Sequence, residues 1–163
     1  MERLNLQLDY WNRVGPTKPF AHPVNLTLFR RWVPPTSRVL DYGCGYGRAL
    51  GILHRNGYNN LRGVDPASTM ITAARQSFPS ISFEVLDDSQ NVSLPEASVD
   101  AILLFAVLTC VPTNDGQRAI ISEITRLLRP NGVLYISDMF LQNELLRGAL
   151  MEGFAAVLFG RFT

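Results

Sequence analysis

An open, mostly parallel α/β sheet, doubly wound and three layers deep with helices on both faces, is the fold class this sequence predicts. Three observations carry that reading. Residues 39–53 pass from a short apolar run through three alternate glycines into a helical pattern, the strand–turn–helix order that opens a nucleotide-binding α/β unit. Five strand candidates then alternate with helices, which builds a parallel sheet. Residues 97–108 are almost continuously apolar, as expected of a strand covered on both faces.

The chain before the glycines is helical. Leu4, Leu6, Leu8, Tyr10 and Trp11 precede the stop at Gly15-Pro16 and read as a short helix or lid. Residues 24–32 predict a second helix, with Leu28 and Trp32 four apart on one face. Pro34-Pro35 ends it. Val39 and Leu40 then begin the first strand, and Asp41 closes it. The glycines that follow have no Cβ, so they admit φ > 0 and let a ligand lie against the backbone. A dinucleotide fingerprint needs a third glycine where this chain has Arg48; the glycine comes one residue early, at Gly47. The stretch has no phosphate-loop lysine either. An acidic residue at the strand end suits a cationic ligand better than a pyrophosphate.

Residues 61–64 form a short strand that ends at Asp65, and Pro66 takes a favoured first position of the next helix. An acid closing a second strand roughly 20 residues beyond the glycines is placed to accept from both ribose hydroxyls. A nicotinamide-binding protein asks for the same acid, and a helix N-cap is the plain alternative. Residues 81–86 alternate apolar and polar, as a strand near the sheet edge does, and end in Asp87-Asp88-Ser89, which a solvated Asx turn would also explain. Thr113-Asn114-Asp115-Gly116 offers N-caps for an amphipathic helix through Ile120, Ile124 and Leu127. A turn at 129–132 leads into the fifth strand. Asp138 and Met139 leave that strand on the side where ligands bind in such sheets, although Asp138 equally suits capping the next helix. Residues 140–159 read as a helix interrupted by Gly148 and Gly153.

Composition narrows the function classes. The 163 residues suffice for one domain with a sizeable core. Hydrophobic residues make up 47% and charged ones 18%, a globular balance. A net charge of +1 provides no basic field for nucleic acid. Two cysteines do not make a disulfide framework, and a reducing cytoplasm is the expected compartment. The first residues lack the apolar core of a signal peptide, and no run of roughly 18 uncharged apolar residues predicts a membrane span. No metal site is expected.

Asp41-Tyr42-Gly43-Cys44-Gly45-Tyr46-Gly47 resembles motif I of the class I methyltransferases, which bind S-adenosylmethionine. Three later stretches extend the resemblance over residues 36–139. Phe83-Glu84-Val85-Leu86-Asp87 is similar to the family's aromatic-x-x-Gly-Asp run, with Leu86 where Gly is common. Leu94-Pro95 followed by Val99-Asp100-Ala101-Ile102 is similar to its approach to the fourth strand, with Val99 in place of Phe. Leu128-Arg129-Pro130-Asn131-Gly132 is similar to the turn before its fifth strand.

The resemblance implies a Rossmann-like methyltransferase core over 36–139, an N-terminal helical cap over 1–35, and a C-terminal helical piece over 140–163. The family's further strands are not found in that last piece. An uncovered fifth-strand edge is therefore expected, open to self-association. It implies methyl transfer to a small-molecule acceptor, with S-adenosyl-L-methionine as cofactor and S-adenosyl-L-homocysteine as product. Cofactor contacts carry over to Asp41, Gly43, Cys44 and Gly45 in motif I, to Asp65 at the ribose and to Pro66 and Met70 at the adenine. Asp87 falls at the adenine amino group with Asp88 beside it, two roles these neighbours can exchange. Phe105 falls where the chain passes the methionine part and the sulfonium.

No catalytic residue is assigned. His22 lies near the cap, and His54 lies on the helix after the glycines. The Asn/Asp-Pro-Pro-Tyr/Phe signature of amino-methylating enzymes is absent. Cys110 precedes its proline rather than following it, so it reads as a small buried hydrophobe rather than the nucleophile of a pyrimidine C5 enzyme. Two rival classes stay open: a nicotinamide-dependent oxidoreductase, and a non-catalytic partner subunit with the same fold.

Overall fold

Short apolar runs between breakers become strands, and the strands hydrogen-bond side by side in parallel. In order along the chain, the computed structural model contains helices α1 (Glu2–Val14) and α2 (Leu26–Trp32), then β1 (Val39–Tyr42), α3 (Arg48–Arg55), β2 (Leu61–Asp65), α4 (Ser68–Ser77) and β3 (Ser82–Val85). These are followed by β4 (Val99–Phe105), α5 (Asn114–Leu127), β5 (Leu128–Ser137) and β6 (Ala156–Phe159). The structure describes residues 2–15, 18, 24–87, 91–137 and 156–159. The expectations for His22, Asp88, Asp138, Met139 and residues 140–155 lie outside them.

Among the described residues one six-stranded sheet runs β3-β2-β1-β4-β5-β6, and every pairing in it is parallel. The order reverses at β1, whose neighbours are β2 on one side and β4 on the other. Ligands bind outside the carboxyl ends of strands at such a switch point.

Alternation along the strands sorts the core into two layers. Val39, Ala101, Leu103, Val133 and Tyr135 face one side, where Phe29 of α2, Leu50 and Leu53 of α3 and Ile71 of α4 cover them. Leu40, Ile102, Leu104, Leu134 and Ile136 face the other, under Ile120, Ile124 and Leu127 of α5. Each such fully buried aliphatic side chain contributes roughly 1.5–3 kcal/mol through loss of water contact.

Four expectations are corrected. The face of α2 that enters the core is centred on Phe29, which is wholly buried, whereas Trp32 stays 52% exposed. Phe29 wins because Tyr58 and Tyr135 pack against it, with ring centroids 5.6 and 5.9 Å away; Leu28 packs only at the margin. Pro66 is not the first residue of α4, which starts at Ser68. Asp65 Oδ1 accepts the Ala67 N–H at 2.9 Å and holds residues 66–67 in a turn. The turn at 129–132 is an irregularity within β5, with Asn131 at φ 62° and a register shift against β4. Finally, the helix expected over 140–159 is not present at Ala156–Phe159. That Ala-Val-Leu-Phe run, rich in strand-favouring residues, pairs with β5. The fifth-strand edge is thus covered, and β3 and β6 are the outer strands.

The amino ends of the strands are locked by charge. Asp100 accepts from the Arg38 backbone N–H at 2.7 Å and its guanidinium at 3.1 Å, and from Arg129 Nε at 2.7 Å. These donors hold its carboxyl well below the usual carboxylate range. Glu123 of α5 similarly accepts from Val92 N–H and from Arg126, which also donates to the carbonyls of Val92 and Leu94.

A group whose pKa is depressed on folding stabilises above its unfolded value and loses that contribution as pH falls. Asp100→Ala should therefore cost about 2–3 kcal/mol in urea unfolding at pH 7, and the gap from wild type should narrow as pH drops below about 4.

Candidate functional site

Gly43, Gly45 and Gly47 adopt φ of 78°, 54° and 81°, the left-handed region in which a Cβ is strained. The turn is also crowded. A Cβ on Gly43 would run into Val107 Cγ2, beyond the end of β4, and one on Gly47 would lie 2.8 Å from Phe83 Cζ. The amides of Gly43 and Cys44 both donate to Val64 O, at 2.8 and 2.9 Å, which draws the turn toward the end of β2.

Asp65 stands at that end and is 9% exposed. Its Oδ2 accepts the Gly45 N–H at 2.9 Å while Oδ1 accepts that of Ala67. The glycine turn and the approach to α4 are thereby tied to one carboxylate. Burial raises the Asp65 pKa, and the two amide bonds oppose the shift. Asp41, 2% exposed at the end of β1, is pushed up to about 7. Desolvation is the main cause, the neighbouring Asp65 charge adds to it, and the Arg48 charge opposes it. Two desolvated carboxylates therefore meet at the carboxyl edge of the sheet, where a positive charge on a ligand would relieve both.

Among the described residues, Cys44, Pro66 and Met70 lie near this pair. Cys44 is a buried free thiol, and its sulfur lies 2.8 Å from where a Cβ on Gly63 would sit. Burial raises its pKa well above the ordinary thiol value, so it is a packed thiol rather than a reactive one. Met70, 3% exposed, reaches over the turn, its Cε 3.4 Å from the Cβ position of Gly45. Pro66 is exposed beside Asp65. Asp87 is exposed just past β3, next to Leu86, whose N–H donates to Asp65 O at 3.1 Å. Phe105 ends β4, but its ring is spent on an edge-on contact with Tyr135 at 5.0 Å.

His54 is turned to other partners, Nδ1 facing Tyr58 O at 3.4 Å and Nε2 facing Ser80 Oγ at 3.2 Å. Cys110 donates to Ala106 O at 3.2 Å in a short 3₁₀ turn.

Three neighbours of the site have roles that the sequence does not show. Arg48 stands in the sequence at the place of a third glycine, yet as a cation at the start of α3 it is the charge among the described residues that opposes the Asp41 shift. Val107 fixes Gly43 by contact. Asn12 of α1 reaches the first turn of α4. Val107 belongs to the 105–107 stretch that the resemblance puts at the methionine part, but its contact with Gly43, like that of Asn12 with α4, joins distant segments and leaves no sequence signal.

An α/β sheet with a glycine turn and two acids at its switch point defines the Rossmann-like class. Within it, the chain belongs to the class I S-adenosylmethionine-dependent methyltransferases, for the family described as "Methyltransferase domain" matches residues 40–136. It is 35% identical over 121 residues to a carboxy-S-adenosyl-L-methionine synthase of Actinobacillus succinogenes, covering 69% of this chain and 49% of that protein. It is 34% identical to a tRNA N(3)-cytidine methyltransferase of Mus musculus, covering 63% and 29%. A solved S-adenosylmethionine-dependent methyltransferase structure from Methanosarcina mazei superposes with a TM-score of 0.63 at 27% identity, covering 74% of this chain and 62% of that one. The chain thus spans about half the length, or less, of these two curated relatives.

A carboxyl raised from 3.8 to about 7 makes the folded state bind its proton more tightly than the unfolded chain does. Stability then falls as pH rises from about 4 to about 7, by an amount on the order of 4 kcal/mol, and levels off beyond. Asp41→Asn should accordingly raise the melting temperature of the ligand-free protein at pH 8 and leave it nearly unchanged at pH 4.5, as thermal melts at the two pH values would read.

Proposed function

We propose that this chain transfers the methyl group of S-adenosyl-L-methionine to a small-molecule acceptor and releases S-adenosyl-L-homocysteine. The observation that carries the proposal is the Asp65 carboxylate bridging the glycine turn and α4 beside the buried Asp41. Each Asp65 oxygen accepts one amide bond and keeps a second lone-pair direction, so a ribose diol can dock without displacing Gly45 or Ala67. Asp41, with Arg48 near it, faces the cationic end. Gly43 and Gly45, with the backbone of Cys44 between them, supply a surface with little side-chain bulk, and Pro66, Met70 and Asp87 line the adenine. The carbonyl side of residues 105–107 faces the methionine part.

When bound, the cofactor supplies an activated methyl group on a positively charged sulfur. The protein's part is to align that group with the acceptor and keep water out, effects potentially worth ~7–11 kcal/mol. No side chain is assigned as a general base; one is needed only for an acceptor that holds its proton at neutral pH.

A small acceptor is favoured by the net charge of +1, which gives none of the basic field a polynucleotide requires. The mouse tRNA enzyme, of which this chain matches 29%, does not outweigh that. A cytoplasmic location is supported by two free cysteines. No helix among the described residues is long and apolar enough to cross a membrane. The N-terminal segment is read as a cap, although α2 is built into the core through Phe29.

Calorimetric titration with S-adenosyl-L-homocysteine should show micromolar binding, about −8 kcal/mol, abolished by Asp65→Ala. Because Asp41 must ionise to meet the cationic end, affinity for S-adenosyl-L-methionine, whose sulfur is charged, should rise about fivefold from pH 6 to pH 7, and affinity for the uncharged thioether S-adenosyl-L-homocysteine should rise less. Absence of binding by the folded wild-type chain would refute the proposal.

A further inference from the structure

The first-turn amides of a helix have no partner within the helix. Ala67, the N-cap of α4, offers no side chain to satisfy them. The acceptor comes instead from α1: Asn12 Oδ1 takes the Thr69 N–H at 3.2 Å and lies 3.5 Å from Ser68 Oγ. Thr69 Oγ1 answers by donating to the Asn12 carbonyl at 2.8 Å, with Asn12 Oδ1 also within 3.2 Å.

Three residues on, Gly15 lies so close to Met70 that a Cβ there would stand 2.6 Å from Met70 Cε. The same methyl group is the nearest contact above Gly45. Met70 therefore lies between the end of α1 and the glycine turn. On the other side of this first turn, Asp65 holds Ala67. One turn of α4 is thus clamped from two directions, by the cofactor-site carboxylate and by the cap.

We propose that Asn12 is a positioning residue, and that docking of α1 on α4 and binding of the adenosyl ligand at Asp65 form one coupled equilibrium in which each strengthens the other. This deepens the reading of the site given above and rests on it. Coupling of this kind is reciprocal: if docked α1 holds Met70 and the start of α4 in place for the ligand, then the ligand must hold α1 in place. The hydrogen bonds described between α1 and α4 centre on Asn12 and Thr69 and lie at the exposed surface, so α1 docking belongs to the low-stability end of the structure, where a ligand can shift it. Asn12 is also well suited to this task. A side-chain oxygen at a helix N-terminus is a favoured cap, and here it is supplied by a different helix.

The test is amide hydrogen exchange on the full chain with and without S-adenosyl-L-homocysteine, together with titration of Asn12→Ala, Asn12→Asp and Thr69→Val. In wild type, the ligand should slow exchange of residues 7–14 by about tenfold, within the usual range of coupling. Asn12→Ala should weaken ligand binding about tenfold and abolish that protection, while amides of β4 and β5 exchange as in wild type. Asn12→Asp keeps the acceptor and adds a charge favoured at a helix N-terminus, so it should restore binding. Thr69→Val keeps the amide bond but loses the hydroxyl, and should fall between. Should Asn12→Ala not fold, wild-type exchange and Thr69→Val still decide the matter. Binding that leaves α1 exchange unchanged, or that Asn12→Ala leaves at wild-type strength, would overturn the coupling alone. A wild-type chain that binds no ligand would overturn the methyltransferase reading with it.

Discussion

Asp65 shares its two carboxylate oxygens between the amides of Gly45 and Ala67, each at 2.9 Å, and the geometry of the switch point follows from that sharing. Gly45 belongs to a turn of left-handed glycines that L side chains would strain, and Ala67 is the N-cap of α4 and supplies no side-chain acceptor. A hydrogen bond to an ionised group contributes about 1.5–3 kcal/mol, so the two bonds offset much of what it costs to keep the carboxylate away from water. Met70, whose Cε lies 3.4 Å from the Cβ position of Gly45, adds an apolar contact between the glycine turn and α4.

Charge is distributed across the sheet in a way that separates stability from function. At the amino edge, Asp100 is surrounded by donors, and on α5 Glu123 is held by Arg126; both carboxyls are shifted down and stabilise the fold at neutral pH. At the carboxyl edge, Asp41 and Asp65 are shifted up, chiefly by burial. Two acids whose burial outweighs the partners they have are a liability to the ligand-free fold, and they make sense as half of an interaction completed by a cation. Perturbed carboxyls of this kind mark functional sites, and here they coincide with the turn that the family match covers.

What could be read ahead of the structure was what depends on local pattern. The apolar runs of β1, β2 and β4, the acids closing β1 and β2, the Thr113 cap of α5 and the glycine turn each announce themselves within a few residues. What depends on packing between distant segments could not be read. Phe29 rather than Trp32 enters the core because Tyr58 and Tyr135, remote in sequence, make its pocket. The start of α4 is set two residues late by Asp65, and its cap arrives from Asn12. The pairing of residues 156–159 with β5 overrode a helical pattern that continued across them. At the site, the ring of Phe105 proved committed to Tyr135, a contact that no local motif encodes.

In the proposed function, Asp65 and the glycine turn it holds receive the ligand. A ¹H–¹⁵N correlation spectrum of the full chain, titrated with S-adenosyl-L-homocysteine, tests it most directly, because the amides of Gly45 and Ala67 both donate to the carboxylate in question. These two resonances should shift first and furthest, with Gly43 and Cys44 following, while the amide of Arg38, donating to Asp100 at the opposite edge, should stay in place. Saturable binding that leaves Gly45 and Ala67 unmoved, or that shifts residues at the amino edge instead, would contradict it.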